Sequence, residues 1–150
     1  MVEFLLGNKN PGMIKVFPEE SESRSILETT LSKPSVYDVF LTHLNRNGYE
    51  VPSQCIDRDW SLPYQFNQEL VDVFVTIYKD TKTHWDAYAV CEQLVDVEQS
   101  FQMWRFRHMK TVERIIGFKK GSGGSSGVSF LKKALELTFF PELLEVRTRL

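Results

Sequence analysis

Apolar residues recur at steps of three or four along most of this chain, a spacing that places them on one face of an α-helix. The longest such pattern begins near Thr83 and ends at Gly117, with no glycine or proline inside it. It predicts one long helix, of the kind that lies at the centre of a helical bundle. The residues of the predicted apolar face are Leu94, Val97, Phe101, Trp104, His108, Val112 and Ile115.

Shorter helical patterns lie on either side of the long one. Gly7 and Gly48 each predict the end of a helix, and Ser32 predicts a cap just before Pro34. Residues 50–63 contain two prolines and no clear period, which predicts a loop. The predicted shorter helices cover residues 1–6, 19–31, 35–47, 66–78 and 128–137.

Length and composition limit the class of protein. A chain of 150 residues, 42% of them hydrophobic, is long enough for one domain with its own core, so we predict a single all-α domain over residues 1–150. The net charge of -2 provides no basic surface for nucleic acid, and no apolar run is long enough to span a bilayer. Cys55 and Cys91 have neither metal-ligand nor disulfide-framework spacing, which favours a cytoplasmic location.

The first predicted helix has a clear end but no capped beginning. Residues 1–6 form about one turn before Gly7, and no Ser, Thr, Asp or Asn precedes them. Two interpretations remain open. The segment is either a frayed terminal turn or the end of an element whose upstream part is missing.

His108 lies on the predicted apolar face of the long helix. A single histidine in such a place is more often a hydrogen-bonded core residue than a ligand. A haem iron, however, needs one neutral imidazole that projects from a stiff helix into an apolar slot. Residues that can form the walls of such a slot are close in sequence: Phe101, Trp104, Phe106 and Met109.

Arg105 and the other two histidines are weaker candidates for a functional site than His108. Arg105 precedes His108 by about one helical turn, so its guanidinium can meet a haem propionate. An ion pair of Arg105 with Glu98, or its contact with solvent, is the more common arrangement. His43 and His84 have no second ligand at zinc spacing, and we expect both to be surface or packing residues.

Residues 119–127 read KKGSGGSSG, a segment rich in glycine and serine. A Walker loop needs Lys and then Ser or Thr after its last glycine, whereas Val128 follows Gly127 here. Composition leaves four interpretations open: an anion-binding turn, a flexible linker, a loop whose backbone approaches a substrate closely, or a plain connection between helices.

The stretch Trp104–Gly127, WRFRHMKTVERIIGFKKGSGGSSG, resembles the signature of the tryptophan 2,3-dioxygenase family. That signature has W-R-x-x-H, then V-x-R-x-x-G, then a G-T-G-G-S-S-G loop. Glu3–Pro11, Leu94–Glu98 and Leu137–Leu150 are also similar to bacterial members. The resemblance therefore covers the whole chain.

The resemblance implies an α-helical homotetramer that binds haem b, with His108 of W-R-x-x-H as the proximal ligand of the iron. Members of the family insert both atoms of O2 across the indole C2–C3 bond of L-tryptophan. The product is N-formyl-kynurenine, and the reaction is the first step of the kynurenine route. Ser122 stands where the family has a threonine that binds the amino-acid end of the substrate. Serine keeps the hydroxyl but lacks the methyl group that restricts its rotamer, so we expect a weakened contact.

Members of the family are considerably longer than this chain, and the difference is N-terminal. The part without a counterpart here holds the distal histidine, the arginine that binds the substrate carboxylate and the aromatic walls of the pocket. We therefore expect the chain to need that part for activity, and to self-associate or fold poorly alone. Two alternatives remain open: a non-catalytic haem-binding domain, and a helical interaction domain without a cofactor.

Overall fold

The structure is a computed structural model that describes residues 1–117 and 127–150. Every regular element in these ranges is helical and none is a strand, so the all-α prediction is confirmed. The α-helices are α1 (Val2–Leu6), α2 (Glu22–Leu31), α3 (Val36–Arg46), α4 (Ser53–Ile56), α5 (Gln68–Lys79), α6 (Trp85–Ile116), α7 (Gly127–Ala134) and α8 (Pro141–Glu145). Short 3-10 helices cover Pro11–Met13 and Val146–Thr148.

The chain forms two compact units. Unit 1 comprises residues 1–89 and 139–150, and unit 2 comprises residues 90–138. The boundary after Ala89 falls inside α6, so this helix contributes to both units. The long helix predicted from the sequence is confirmed by the 32 residues of α6. The single domain that we expected stays a prediction.

The apolar core of unit 1 is built mainly on α3 and α5. Leu70, Phe74 and Ile77 follow the helical period of α5, and all three are fully buried. Phe40 of α3 stacks on Phe74 with ring centroids 6.4 Å apart. Burying each such side chain contributes roughly 1.5–3 kcal/mol. The stripe predicted over residues 66–78 is therefore a core face.

The C-terminal segment, residues 139–150, completes this core although it follows unit 2 in the sequence. Phe140, Leu143 and Val146 are buried. The ring of Tyr37 on α3 contacts Phe140, with centroids 5.3 Å apart. The core of unit 1 therefore joins two stretches that are distant in sequence.

A buried carboxyl group connects α8 with α3 and α5. Glu142 is fully buried; its Oε2 accepts a hydrogen bond from Tyr37 Oη at 2.9 Å. Its Oε1 accepts one from the backbone N–H of Asn67, the N-cap of α5, at 2.7 Å. Burial raises the pKa of Glu142, and these two hydrogen bonds oppose the shift because they favour the charged form.

Ser35 caps α3, and the predicted cap at Ser32 is wrong. The Asp38 N–H donates to the Ser35 hydroxyl at 3.2 Å, and the Ser35 N–H donates to the Asp38 carboxylate at 2.7 Å. This capping box needs an acceptor three residues after the cap, which Asp38 provides for Ser35. Arg58 adds two hydrogen bonds to the same carboxylate, at 2.8 and 3.2 Å. Ser32 instead ends α2 as its C-cap.

Two predicted helix boundaries differ from the observed ones by three residues. Helix α2 begins at Glu22 instead of residue 19, because the hydroxyl of Ser21 accepts from the Arg24 N–H and caps the helix there. Helix α7 ends at Ala134 instead of residue 137, and a turn over residues 135–136 follows it. Helices α2 and α7 themselves lie where the apolar period predicted them. The loop predicted over residues 50–63 is wrong in part, because the single helical turn α4 begins there directly after Pro52, its N-cap.

Glu142→Gln should make the free energy of unfolding depend less on pH. The folded-state pKa of Glu142 is raised, so its stabilising contribution is full below the unfolded value of about 4.5 and is lost as pH rises through the folded-state pKa. We therefore expect the variant to gain stability relative to the wild type as pH rises from about 4 to about 8, in urea unfolding followed by circular dichroism. Glu20→Gln, at an exposed position of unit 1, is the matched control. An equal trend in both variants would contradict this account.

Candidate functional site

The C-terminal half of α6 carries the histidine that the sequence singles out. The imidazole of His108 is exposed, so it is not a core residue of this chain. Its ring lies parallel to the indole of Trp104, with centroids 5.4 Å apart and planes 3° apart. The two residues are four positions apart, the spacing at which side chains of a helix meet. The structure thus presents the imidazole at the surface, beside a large aromatic ring.

The predicted apolar face of α6 is mostly not the face that the chain buries. Val97, Trp104, His108 and Ile115 of that predicted face are exposed. Successive residues of a helix are rotated by about 100°, so these four lie roughly a quarter to a third of a turn from the centre of the buried face. The prediction was wrong here because it placed the charged residues of α6 in solvent, whereas Glu98 and Arg105 are buried. The residues of unit 2 that α6 buries are Cys91, Leu94, Val95, Glu98, Arg105 and Met109.

Arg105 is buried, with only 3% of its surface exposed. Its Nη1 donates a hydrogen bond to the carbonyl oxygen of Leu137 at 3.0 Å. Its guanidinium carbon lies 5.0 Å from the ring centroid of Phe101, a cation–π contact. The guanidinium is therefore part of the packing of unit 2 and does not face solvent in this chain. The ion pair with Glu98 and the propionate contact both stay predictions.

Large apolar side chains are exposed in unit 2, and two of them, Trp104 and Ile115, share the face of α6 that carries His108. An exposed apolar surface of this extent is typical of a ligand or partner contact. The described residues contain no group of three His, Cys, Asp or Glu side chains that could hold a bare metal ion. A haem iron takes its remaining ligands from the porphyrin, so one exposed imidazole on a face with apolar side chains fits that group. The exposed apolar side chains are Val97, Met103, Trp104, Phe106, Ile115, Ile116, Phe130 and Leu137.

The other two histidines lie in unit 1 and are surface or packing residues, as predicted. His43 on α3 is exposed, and its Nε2 lies 3.2 Å from Nδ2 of Asn47. His84 is half-buried, and its Nδ1 lies 2.9 Å from Oη of Tyr49. His84 and Tyr49 also line an open cavity of about 850 Å³ in unit 1.

Both cysteines are buried and neither is in a disulfide, in agreement with the sequence pattern. The hydroxyl of Tyr64 donates to Sγ of Cys55 at 3.4 Å. Burial raises the pKa of the Cys55 thiol above its ordinary value. A protonated, buried thiol is a packing group and not a nucleophile.

Residues 118–126 lie outside the described residues, and with them Ser122, the residue predicted to bind substrate. The flanking residues belong to unit 2. Gly117 follows α6 with a φ of 59°, in the left-handed region that glycine adopts readily, and Val128 on α7 is fully buried. In the described ranges, no helix has both the length and the apolar content that a membrane span requires.

Comparison with known proteins identifies the family. The family model described as tryptophan 2,3-dioxygenase matches residues 18–150. The chain is 58% identical over 149 residues to a tryptophan 2,3-dioxygenase of Serratia proteamaculans, covering 99% of this chain and 53% of that protein. It is 56% identical over 149 residues to one of Myxococcus xanthus, covering 99% of this chain and 51% of that protein. This chain therefore belongs to the tryptophan 2,3-dioxygenase family.

The chain spans about half the length of the curated relatives that it matches. The matched half includes the whole of α6 and the glycine-rich segment. The family resemblance read from Trp104–Gly127 is confirmed. The roles of His108 and Ser122 remain predictions.

Ile115→Lys should weaken self-association of the chain. Ile115 is 74% exposed in unit 2, and a lysine there places a charge on the apolar surface. Burying that charge between two chains should weaken association by roughly tenfold or more. Sedimentation velocity over a range of concentrations measures the effect. Val16→Lys, at a position that is 79% exposed in unit 1, is the matched control. A wild-type chain that stays monomeric at high concentration would contradict the prediction.

Proposed function

We propose that this chain is the haem-ligating part of a tryptophan 2,3-dioxygenase and that His108 is the proximal ligand of haem b. One observation carries the proposal: the imidazole of His108 is exposed beside the indole of Trp104 on α6, in a member of that family. A bound haem supplies the site that activates O2. The reaction proposed for the complete enzyme inserts both oxygen atoms across the indole C2–C3 bond of L-tryptophan, which gives N-formyl-kynurenine.

The residues of this chain contribute binding and orientation to that reaction. A neutral imidazole offers one ring nitrogen as a ligand, and α6 fixes the Cα position of His108. Ile115, an exposed apolar side chain on the same face of α6 as His108, excludes water from a flat apolar cofactor and adds to its affinity through buried area. Ser122 provides a hydroxyl for the amino-acid end of the substrate.

The rest of the enzyme is also part of the proposal. We infer that turnover needs the half of the relatives' length that this chain does not span, because carboxylate recognition and the distal wall of the pocket are expected there. We propose a homotetramer because the family resemblance implies it, and a cytoplasmic location because Cys55 and Cys91 show no disulfide pattern.

Haemin added to the purified chain should give the Soret band of a histidine-ligated haem, and His108→Ala should lose it. Loss of the axial ligand should lower haemin affinity by roughly tenfold or more, because the remaining contacts are apolar. His43→Ala, which removes an exposed histidine of unit 1, is the matched control and should keep the band. Identical spectra for His108→Ala and the wild type would refute the ligand assignment.

The same spectra separate an enzyme from a haem-binding domain that has lost its substrate site. L-Tryptophan should shift the Soret band when the chain is co-produced with the N-terminal half of the Serratia proteamaculans relative. A band that never responds to tryptophan in that complex would favour the non-catalytic alternative.

Ser122→Ala should raise the KM for L-tryptophan in the same complex. Loss of one hydrogen bond of about 1 kcal/mol corresponds to roughly a fivefold increase. Ser122→Thr should lower the KM, because the added methyl restricts the rotamer of the hydroxyl. Ser100→Ala, at an exposed position of α6, is the control. An unchanged KM in both Ser122 variants would rule out the substrate contact.

A further inference from the structure

An imidazole on the surface of a helix can rotate about two side-chain torsions, whereas an iron ligand must present one nitrogen in one direction. The His108 ring stacks on the indole of Trp104. The two planes differ by only 3°, and the centroids lie 5.4 Å apart, an offset parallel arrangement. A parallel stack restricts rotation of the imidazole plane, because rotation separates the two faces.

The indole of Trp104 is itself held by contacts that end in a buried group. Its ring contacts Phe101 with centroids 5.2 Å apart and planes inclined by 44°. Phe101 in turn lies against the guanidinium of Arg105, 5.0 Å from its ring centroid. Arg105 is almost fully buried and donates to the carbonyl oxygen of Leu137 at 3.0 Å. A chain of side-chain contacts therefore leads from the buried face of α6 to its exposed face, in the order Arg105, Phe101, Trp104 and His108.

We propose that Trp104 is a positioning residue for His108, held in place by Phe101 and Arg105, and that it fixes the plane of the imidazole before haem binds. This inference rests on the proposed function, since it assigns His108 as the ligand. Trp104 acts on His108, and its role toward the cofactor is indirect. This positioning role also gives a reason for the buried arginine one turn before His108. The guanidinium of Arg105 holds Phe101, and Phe101 contacts Trp104.

The first test needs no haem. Ring currents of an indole shift the carbon-bound protons of a stacked imidazole upfield, so the His108 protons should be shifted in the NMR spectrum of the wild-type chain. Trp104→Leu should return them to the positions of an unstacked histidine, and Trp104→Phe should keep part of the shift. Equal His108 shifts in the wild type and Trp104→Leu would overturn the proposal.

The second test uses haemin. Trp104→Leu should weaken haemin binding by roughly threefold to tenfold, the factor that corresponds to the free energy of one lost aromatic contact. The same variant should broaden the EPR signal of the ferric haem, because the plane of the imidazole is no longer fixed. Trp104→Phe should restore most of the affinity and the line width. Trp85→Leu is the matched control: Trp85 lies on the same helix, is 61% exposed against 55% for Trp104, and contacts Tyr88 in unit 1. Circular dichroism checks that each variant keeps its helices.

The outcomes separate this inference from the proposed function. A Soret band that depends on His108 but not on Trp104, with unchanged affinity and EPR line width, overturns the positioning role and leaves the ligand in place. A band that does not depend on His108 overturns the ligand assignment, and the positioning role with it. A His108-dependent band with weakened, broadened binding in Trp104→Leu alone supports both.

Discussion

The register of helix α6, meaning which of its residues face the core, is the constraint on which the exposure of His108 and Trp104 depends. The helix runs for 32 residues without a glycine or proline, so the rotation of each residue is fixed relative to all others. Burial of Glu98, Arg105 and Met109 on one side places His108 and Trp104 roughly a quarter to a third of a turn away, where they are exposed. A shift of this register by one residue would turn the imidazole by about 100° and exchange ligand and core positions.

The two units use their apolar residues differently. In unit 1, α5 and the C-terminal segment bury their large side chains almost completely, and the buried groups Glu142 and Asp38 have hydrogen-bond partners. Unit 1 also exposes some, such as Trp85, but exposed large apolar side chains make up a greater share of the described residues of unit 2, where Trp104 and Phe130 stay exposed. Exposed aromatic surface is costly for a chain in water, which is why a cofactor, another chain or the remaining half of the family's length is expected to cover it.

The sequence was sufficient for the helical class, for the length of α6 and for the core stripe of α5, because these follow from periods that a single chain displays. It was not sufficient for the buried face of α6. Hydrophobicity alone assigns Arg105 to solvent, whereas in the fold its guanidinium is held by the ring of Phe101 and the carbonyl oxygen of Leu137. The latter contact joins residues that are 32 positions apart, and no local pattern reveals it.

Parts of the candidate site were visible in the sequence and parts were not. His108 was recognisable from the family motif, and the four-residue spacing to Trp104 was the available signal for their stack. The cap of α3 was also recognisable, since Asp38 stands three residues after Ser35, but the competing signal at Ser32 and Pro34 obscured it. Nothing in the single sequence indicated that Glu142 would connect α8 with α3 and α5, because its partners lie 75 and 105 residues away.

The most direct test of the central claim is chemical rescue of the ligand. In His108→Gly the imidazole side chain is absent, and free imidazole can be added to the chain together with haemin. The account predicts that the Soret band of a histidine-ligated haem is lost in this variant and returns, with saturation, as imidazole is titrated in. Haemin binding by His108→Gly that matches the wild type without imidazole would contradict it, because the iron would then have a different ligand.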